Sequence, residues 1–333
     1  MVWGARGERM TARGQAQNGL QAGGQRPFVS VIIPCFSDEQ RLPLCLRALE
    51  MQSYPSDRYD VIVVDDASPF SLESLVSDFT HARCLTQHEN RGSYSARNRG
   101  VAAARGDVYA FTDSDCIPEP NWLEKGVRPL LDHPHCGQVG GRIDVFFRDA
   151  NHPSPAELFD SVLGLKQKTY IDNGRFAATA NMFTTRGVIQ VVGPFDELLR
   201  SGGDNEWGKR VHGFGFRQIY AEDAVVRHPA RRTIDALKLK RVRTVQGFLQ
   251  AALENVELRS AYKGMLLKGL LPPVGRYVLP VLSRKDVRFH IRLAASLIAL
   301  RIHYFTYGQM WLRFVSFARQ RKERKATGSV NVE

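Results

Sequence analysis

Two acidic motifs in this chain have spacings that suit the chemistry of a departing phosphate group. Asp113-Ser114-Asp115 follows the apolar run Tyr109-Ala-Phe-Thr112, which reads as a strand. In extended chain, residues i and i+2 project the same way, so the two carboxylates face one point. Mg²⁺ or Mn²⁺ binds such oxygens and shares its shell with phosphate oxygens. A cation held there neutralises charge that builds on a leaving diphosphate. Asp and Ser are also common turn residues, which is the simpler account of the triplet alone.

The second motif is Gly202-Gly203-Asp204-Asn205-Glu206-Trp207. Its glycines let backbone approach a ligand closely. Asp204 is the candidate general base for removing a proton from an attacking hydroxyl. The alternatives are an N-cap at Asp204 and an i,i+4 ion pair between Glu206 and Arg210. Asp65-Asp66-Ala67-Ser68 offers a carboxylate for a base or a ribose hydroxyl, or equally an Asx turn. His228 is read as a metal ligand, a phosphate donor or a structural histidine.

The elements that must carry these residues alternate strand and helix. Val29–Ile33, Tyr59–Val64, Arg83–Gln87 and Val108–Thr112 read as strands. Arg41–Gln52, Leu72–Phe79 and Ser93–Arg105 read as helices, the last stopped by Gly106. That order implies a mostly parallel sheet covered on both faces, an α/β fold that binds ligands beyond the carboxyl ends of its strands. Pro34, Asp65-Asp66 and Asp113-Ser-Asp115 all fall at such ends. Further on, Gln138–Phe147 and Ala177–Thr185 read as strands, Arg186–Val192 as a helix and Ile219–Val226 as a strand. After Arg231 the chain turns helical, apolar and basic.

At 333 residues and 43% hydrophobic, the chain can bury a large core. Its five cysteines form no CxxC or zinc spacing and point to reduced thiols in a cytoplasm. The net charge of +12 favours anionic partners. Much of the excess lies in Arg231–Arg243 and Arg319–Lys325. Residues 1–26, rich in Gly, Gln and Arg with no apolar h-region, read as a disordered leader. Leu293–Leu312 comes nearest to a membrane span, but Arg301 and His303 interrupt it.

Taken together, Val29-Ser-Val-Ile-Ile-Pro34, Val63-Val-Asp-Asp-Ala-Ser68, Asn90-Arg-Gly92 with Ala96-Arg-Asn-Arg-Gly100, Phe111-Thr-Asp-Ser-Asp-Cys116 and Gly202-Gly-Asp-Asn-Glu-Trp207 resemble, in order and spacing, the family 2 inverting glycosyltransferases of GT-A fold. The resemblance covers roughly residues 27–230. It implies a nucleotide-sugar donor, Mg²⁺ or Mn²⁺, and a Rossmann-like mixed sheet. It implies a nucleotide-sugar pocket at Pro34, Cys35, Phe36, Asp65, Arg97, Asp113 and Ser114, with Asp113 facing ribose and metal. Asp115 then matches the direct metal ligand, His228 an auxiliary one, and Asp204 the catalytic base. Asn181, Gly203, Glu206 and Trp207 match the acceptor side. Many members carry Glu-Asp where this chain has Gly203-Asp204, a departure that touches acceptor contacts.

These readings divide the chain into a leader (1–26), a catalytic domain (27–230), a helical basic extension (231–325) and a tail (326–333). The basic-apolar pattern of Arg231–Arg243, and Leu266, Leu267, Leu270 and Leu271 beside Lys268, suits peripheral contact with the inner face of the plasma membrane. The alternative is a helical subdomain, at a homodimer interface. A sugar-phosphate nucleotidyltransferase is the nearest enzymatic rival, but Pro34-Cys-Phe-Ser-Asp38 lacks a glycine-rich basic loop. A non-catalytic membrane scaffold would not need Asp113, Asp115 and Asp204. Nucleic acid is disfavoured because no aromatic stacking platform stands out.

Overall fold

The computed structural model describes residues 17–20, 25–254, 260, 262, 264–266 and 269–326, apart from side chains at 251, 253, 254 and 317–326. Its strands are β1 (Val29–Cys35), β2 (Tyr59–Asp65), β3 (Ala82–Thr86), β4 (Val108–Thr112), β5 (Ile117–Pro118), β6 (Cys136–Phe146), β7 (Asn181–Thr185) and β8 (Arg217–Pro229). They form one mixed sheet in the order β3-β2-β1-β4-β7-β6-β8-β5. β1, β2, β3 and β4 run parallel, and β7 lies antiparallel to both β4 and β6. β1, β2 and β4 are buried on both faces, in keeping with their largely apolar runs. The chain leaves β1 towards β2 on one side and returns to β4 on the other. A crevice therefore opens at the carboxyl ends of β1 and β4.

The helices among the described residues are α1 (Leu42–Glu50), α2 (Glu73–Val76), α3 (Ser93–Ala103), α4 (Trp122–Asp132), α5 (Pro155–Leu163), α6 (Gln167–Gly174), α7 (Arg186–Val192), α8 (Gly203–Gly213), α9 (Ile234–Glu254), α10 (Leu279–Leu282) and α11 (Phe289–Ala326). The α/β alternation expected for the first half is present, and β4 has the expected bounds. Two local readings change. α3 ends at Ala103 and its cap, Ala104, is extended. Gly106 instead permits close backbone contact, since a Cβ there would sit 2.5 Å from Ser30 N. The strand expected from Ala177 starts only at Asn181. Before it, the Gln167 side chain takes the place of a neighbouring strand, accepting from Ala178 N (2.8 Å) and donating to Asn181 O (2.8 Å).

The expected disordered leader also needs correction where it is described. Asn18 is buried and donates to Leu130 O at 2.7 Å near the end of α4, and Thr185 Oγ1 donates to Asn18 O. The bond to Leu130 O occupies a carbonyl that the end of α4 leaves open. Residues 1–16 and 21–24 lie outside the described residues.

The C-terminal helices do not form a separate layer. Leu158 and Phe159 of α5 share one core with Leu237 of α9, Val281 of α10, and Ala295, Ala299 and Ile302 of α11. The junction is pinned by Asp160, which accepts from Arg231 N (2.9 Å) and Arg231 Nη1 (3.1 Å) and lies 3.5 Å from Lys240 Nζ. Part of the basic run Arg231–Arg243 is thus turned inward rather than offered to a surface. Leu266 is likewise buried, in a cluster with Met310, while Leu270 and Leu271 are exposed. Leu267 and Lys268 lie outside the described residues. No helix among the described residues is long and apolar enough to cross a membrane.

Candidate active site

β4 ends at Thr112, so Asp113, Ser114 and Asp115 emerge at the crevice. β5 pairs with β8 and brings Ile117 opposite Arg227, which sets His228 beside the acidic turn. Asp113, Asp115, Cys116 and His228 each offer one ligand atom, all within 4.8 Å of one another. His228 Nδ1 lies 2.8 Å from the carbonyl of Pro229, which can only accept, so Nδ1 carries the proton. Nε2 lies 3.8 Å from Asp115 Oδ1, forming an ion pair when the ring is protonated and offering a lone pair beside the carboxylate when it is neutral. In the neutral form the cluster can share a cation. Two carboxylates and an imidazole are donors that suit Mg²⁺ or Mn²⁺. Burial pushes the Cys116 thiol well above its ordinary pKa, so it stays protonated and is a poor ligand beside them.

Positive side chains hold this acidic turn. Arg41 of the loop before α1 bonds Asp38 at 2.5 Å and Asp115 at 3.2 Å. Ser114 Oγ donates to Asp38 Oδ2 at 2.6 Å. Arg97, buried on α3, bonds Asp113 at 2.6 Å. Burial raises the Asp115 carboxyl above the usual range, and the His228 and Arg41 charges oppose the rise.

Asp204 sits in the first turn of α8. Its Oδ1 accepts from Asn205 N at 2.9 Å and from Tyr94 Oη at 3.3 Å. Oδ2 has no hydrogen bond among the described residues. Burial raises the Asp204 carboxyl above its ordinary pKa, Arg97 opposes the rise, and the Asp113 charge adds to it. Arg97 bonds Asp113 and lies over the Tyr94 ring at 5.6 Å, and the Tyr94 hydroxyl reaches Asp204, so Asp115, Asp113, Arg97, Tyr94 and Asp204 follow one another across the crevice. The extension reaches the same rim. Gly247 of α9 lies against Ser201 just before α8, and Gln250 Nε2 approaches Leu198 O at 3.5 Å.

The expected nucleotide-pocket residues fall at the β1 and β2 ends. Phe36 is exposed, while Cys35 is buried, its thiol pushed up to about 12 by burial, and its carbonyl accepts from Asp66 N at 2.8 Å. Pro34 pairs in register with Val64, and Cys35 with Asp65. Asp65 is buried and accepts from Ser68 N at 2.9 Å, the Asx turn that the sequence allowed. Asp66 accepts from Gln87 Nε2 (2.7 Å), Arg91 N (2.8 Å) and Gly92 N (2.8 Å), which fixes the loop leading into α3.

The four residues expected on the acceptor side are all engaged within the fold. Asn181 is fully buried, accepting from Trp122 Nε1 and donating to the carbonyls of Arg142 and Ala224. Trp207 is fully buried, donates to Gly193 O at 2.9 Å and packs on Phe195. Glu206 is held by Arg210 through 2.6 and 2.9 Å bonds. Gly203 carries no side chain because Tyr94 occupies its space, a Cβ there lying 2.7 Å from Tyr94 Cε2. All four are structural supports of α8 and β7. The residues that sequence reasoning missed are Asp38, Arg41 and Tyr94. Their roles had no local signal, since Arg41 reaches Asp115, Asp38 reaches Ser114 and Tyr94 reaches Asp204, each on another element.

The Glycosyl transferase family 2 profile matches residues 30–193. Glycosyltransferase AglE of Haloferax volcanii is 36% identical over 265 residues, covering 78% of this chain and 86% of that protein. Pre-mycofactocin glycosyltransferase of Mycobacterium tuberculosis is 32% identical over 214 residues, covering 61% of this chain and 43% of that one. Mannosyltransferase PcManGT from Pyrobaculum calidifontis, solved in complex with GDP-Man and Mn2+, shares the fold with a TM-score of 0.55 over 94% of this chain and 79% of that chain, at 19% identity. With the mixed sheet and the acidic crevice in place, this relationship makes the chain a member of glycosyltransferase family 2.

Proposed function

We propose that the crevice transfers a sugar from a nucleoside-diphosphate sugar to an acceptor hydroxyl, inverting the anomeric centre, in the synthesis of a surface polysaccharide or glycolipid. The observation that carries this reading is the line from Asp115 through Asp113, Arg97 and Tyr94 to Asp204. It sets a cation site and a free carboxylate oxygen on one crevice.

Phe36 offers an exposed ring for a nucleobase at the end of β1, next to Asp65. Asp113, Asp115 and His228 would hold a divalent cation, which would supply charge neutralisation to the departing diphosphate. Arg97 anchors Asp113, and Arg41 steadies Asp115 from the other side. Asp204 Oδ2 takes the proton of the acceptor hydroxyl as its oxygen attacks the anomeric carbon. The bond from that carbon to the diphosphate breaks on the opposite face, so configuration inverts in a single displacement. Tyr94 and the Asn205 amide fix Oδ1 and so aim Oδ2.

The test is release of nucleoside diphosphate from a panel of UDP- and GDP-sugars, with Mn²⁺, with Mg²⁺ and after chelation. Release from one donor class that requires the cation is the expected result. Equal release after complete chelation would remove the cation from the reading. An NMR spectrum of the product showing retained anomeric configuration would remove the direct displacement.

A further inference from the structure

The outer face of α11 carries an apolar stripe that nothing among the described residues covers. Phe289, Leu293, Leu297, Tyr304, Trp311 and Val315 are exposed, between 42% and 64%. At 3.6 residues per turn these positions fall within an arc of about 100°. They run for about 39 Å along the helix axis. The buried residues of the same helix, Ala295, Ala299, Ile302 and Met310, face inward onto the shared core and the cluster around Tyr262. The interruptions in the sequence of this segment now have places. His303 turns aside to the carbonyls of Gly269 and Leu271, at 3.1 Å each, and holds the exposed Leu270-Leu271 turn beside the stripe. Arg301 is exposed at the opposite border.

The charge around the stripe is one-sided. Arg276, Lys285, Arg288 and Arg301 are exposed. From Leu258 to Lys322 the sequence holds a single carboxylate, Asp286, and Arg284 binds it at 2.7 Å. A surface that is apolar along its centre and cationic at its margins complements a bilayer interface bearing anionic headgroups. A second copy of the chain would bring the same cations against them. We infer that α11 lies in the plane of an anionic membrane surface, with Leu270 and Leu271 inserted beside it, and that this face holds the enzyme on the bilayer.

Flotation of the full chain with vesicles tests this. The chain should float with phosphatidylcholine vesicles containing phosphatidylglycerol and bind vesicles of phosphatidylcholine alone at least tenfold less. Leu293→Glu with Leu297→Glu should cut binding to the anionic vesicles at least tenfold. Both positions are exposed, so release of nucleoside diphosphate in vesicle-free solution should stay at the wild-type rate. That readout separates a failure of this inference from a failure of the catalytic reading. Unchanged flotation of the double variant would overturn the inference. So would no vesicle binding by the wild type, or a wild-type dimer that the variant converts to monomer without losing vesicle binding.

Discussion

Replacing Asp204 by Asn isolates the proposed base with little disturbance around it. Asn keeps an acceptor oxygen for Asn205 N and Tyr94 Oη, the two partners of Oδ1. What it loses is the proton-accepting Oδ2. A positioned general base contributes about 10²- to 10⁴-fold. At 1.36 kcal/mol per decade that is about 3–5 kcal/mol of barrier. Because Asp204 is already fixed at two points, the loss should fall in the upper half of that range. It should appear in kcat and kcat/KM alike, as for a contact made only in the transition state. Donor affinity, set by the β1, β2 and β4 ends, should change less than about twofold. The pH profile adds a second readout. Burial raises the Asp204 carboxyl, and only its ionised form accepts a proton. The wild-type rate should therefore climb with pH through a value above the usual carboxylate range, and the Asn variant should lack that limb. Steady-state kinetics with a resolved acceptor, plus donor binding by calorimetry, measure all of this. A variant with wild-type kcat and an unchanged acid limb would refute the assignment of Asp204.

Three further substitutions probe the surroundings. Asp115→Ala should remove Mn²⁺-stimulated release of nucleoside diphosphate, by about 100-fold or more given the several kcal/mol a Lewis acid supplies, while circular dichroism stays native. Asp160→Ala leaves Arg231 and Lys240 without their shared carboxylate, and burial already pushes the Lys240 ammonium down to about 8. Losing one partner of a buried pair costs about 3–5 kcal/mol, which a denaturant midpoint will show. Gly203→Glu restores the residue that many family members carry, yet its Cβ meets the Tyr94 ring. It should cost about 1–3 kcal/mol by overpacking and lower turnover by moving Tyr94, and Gly203→Glu with Tyr94→Ala should recover the stability.

Much of the parallel half of the sheet was legible because buried strands carry short, largely apolar runs and end in recognisable turns. β4 and its acidic triplet are the clearest instance: Val108–Thr112 appears with the expected bounds, and Asp113 and Asp115 share a cluster with His228. Long-range satisfaction was not legible. Nothing near Asn181 or Trp207 in sequence states that each side chain is consumed by carbonyls from distant segments. The same holds for Gln167, whose amide stands in for a strand and delays β7. Arg231–Arg243 reads as a basic surface run until Asp160, about seventy residues earlier, turns two of its cations inward. Composition counts charges, but only packing decides which of them reach solvent.

The same packing ties the outer stripe to the chemistry. α11 is bound to α5 and α9 through one apolar core, and α9 rests on Leu198 and Ser201, the segment that enters α8. Asp204 is therefore a few contacts from a helix whose far face is exposed and apolar. A close-packed core transmits position with little slack, because its side chains have few alternative arrangements. Seating α11 on a bilayer would fix the height and tilt of the crevice above the headgroups. An acceptor anchored in the lipid would then search two dimensions rather than three for Asp204. The fold can spare this helix for that role because the sheet, α3, α8 and the loop before α1 hold the carboxylates, leaving the extension to set where the site points.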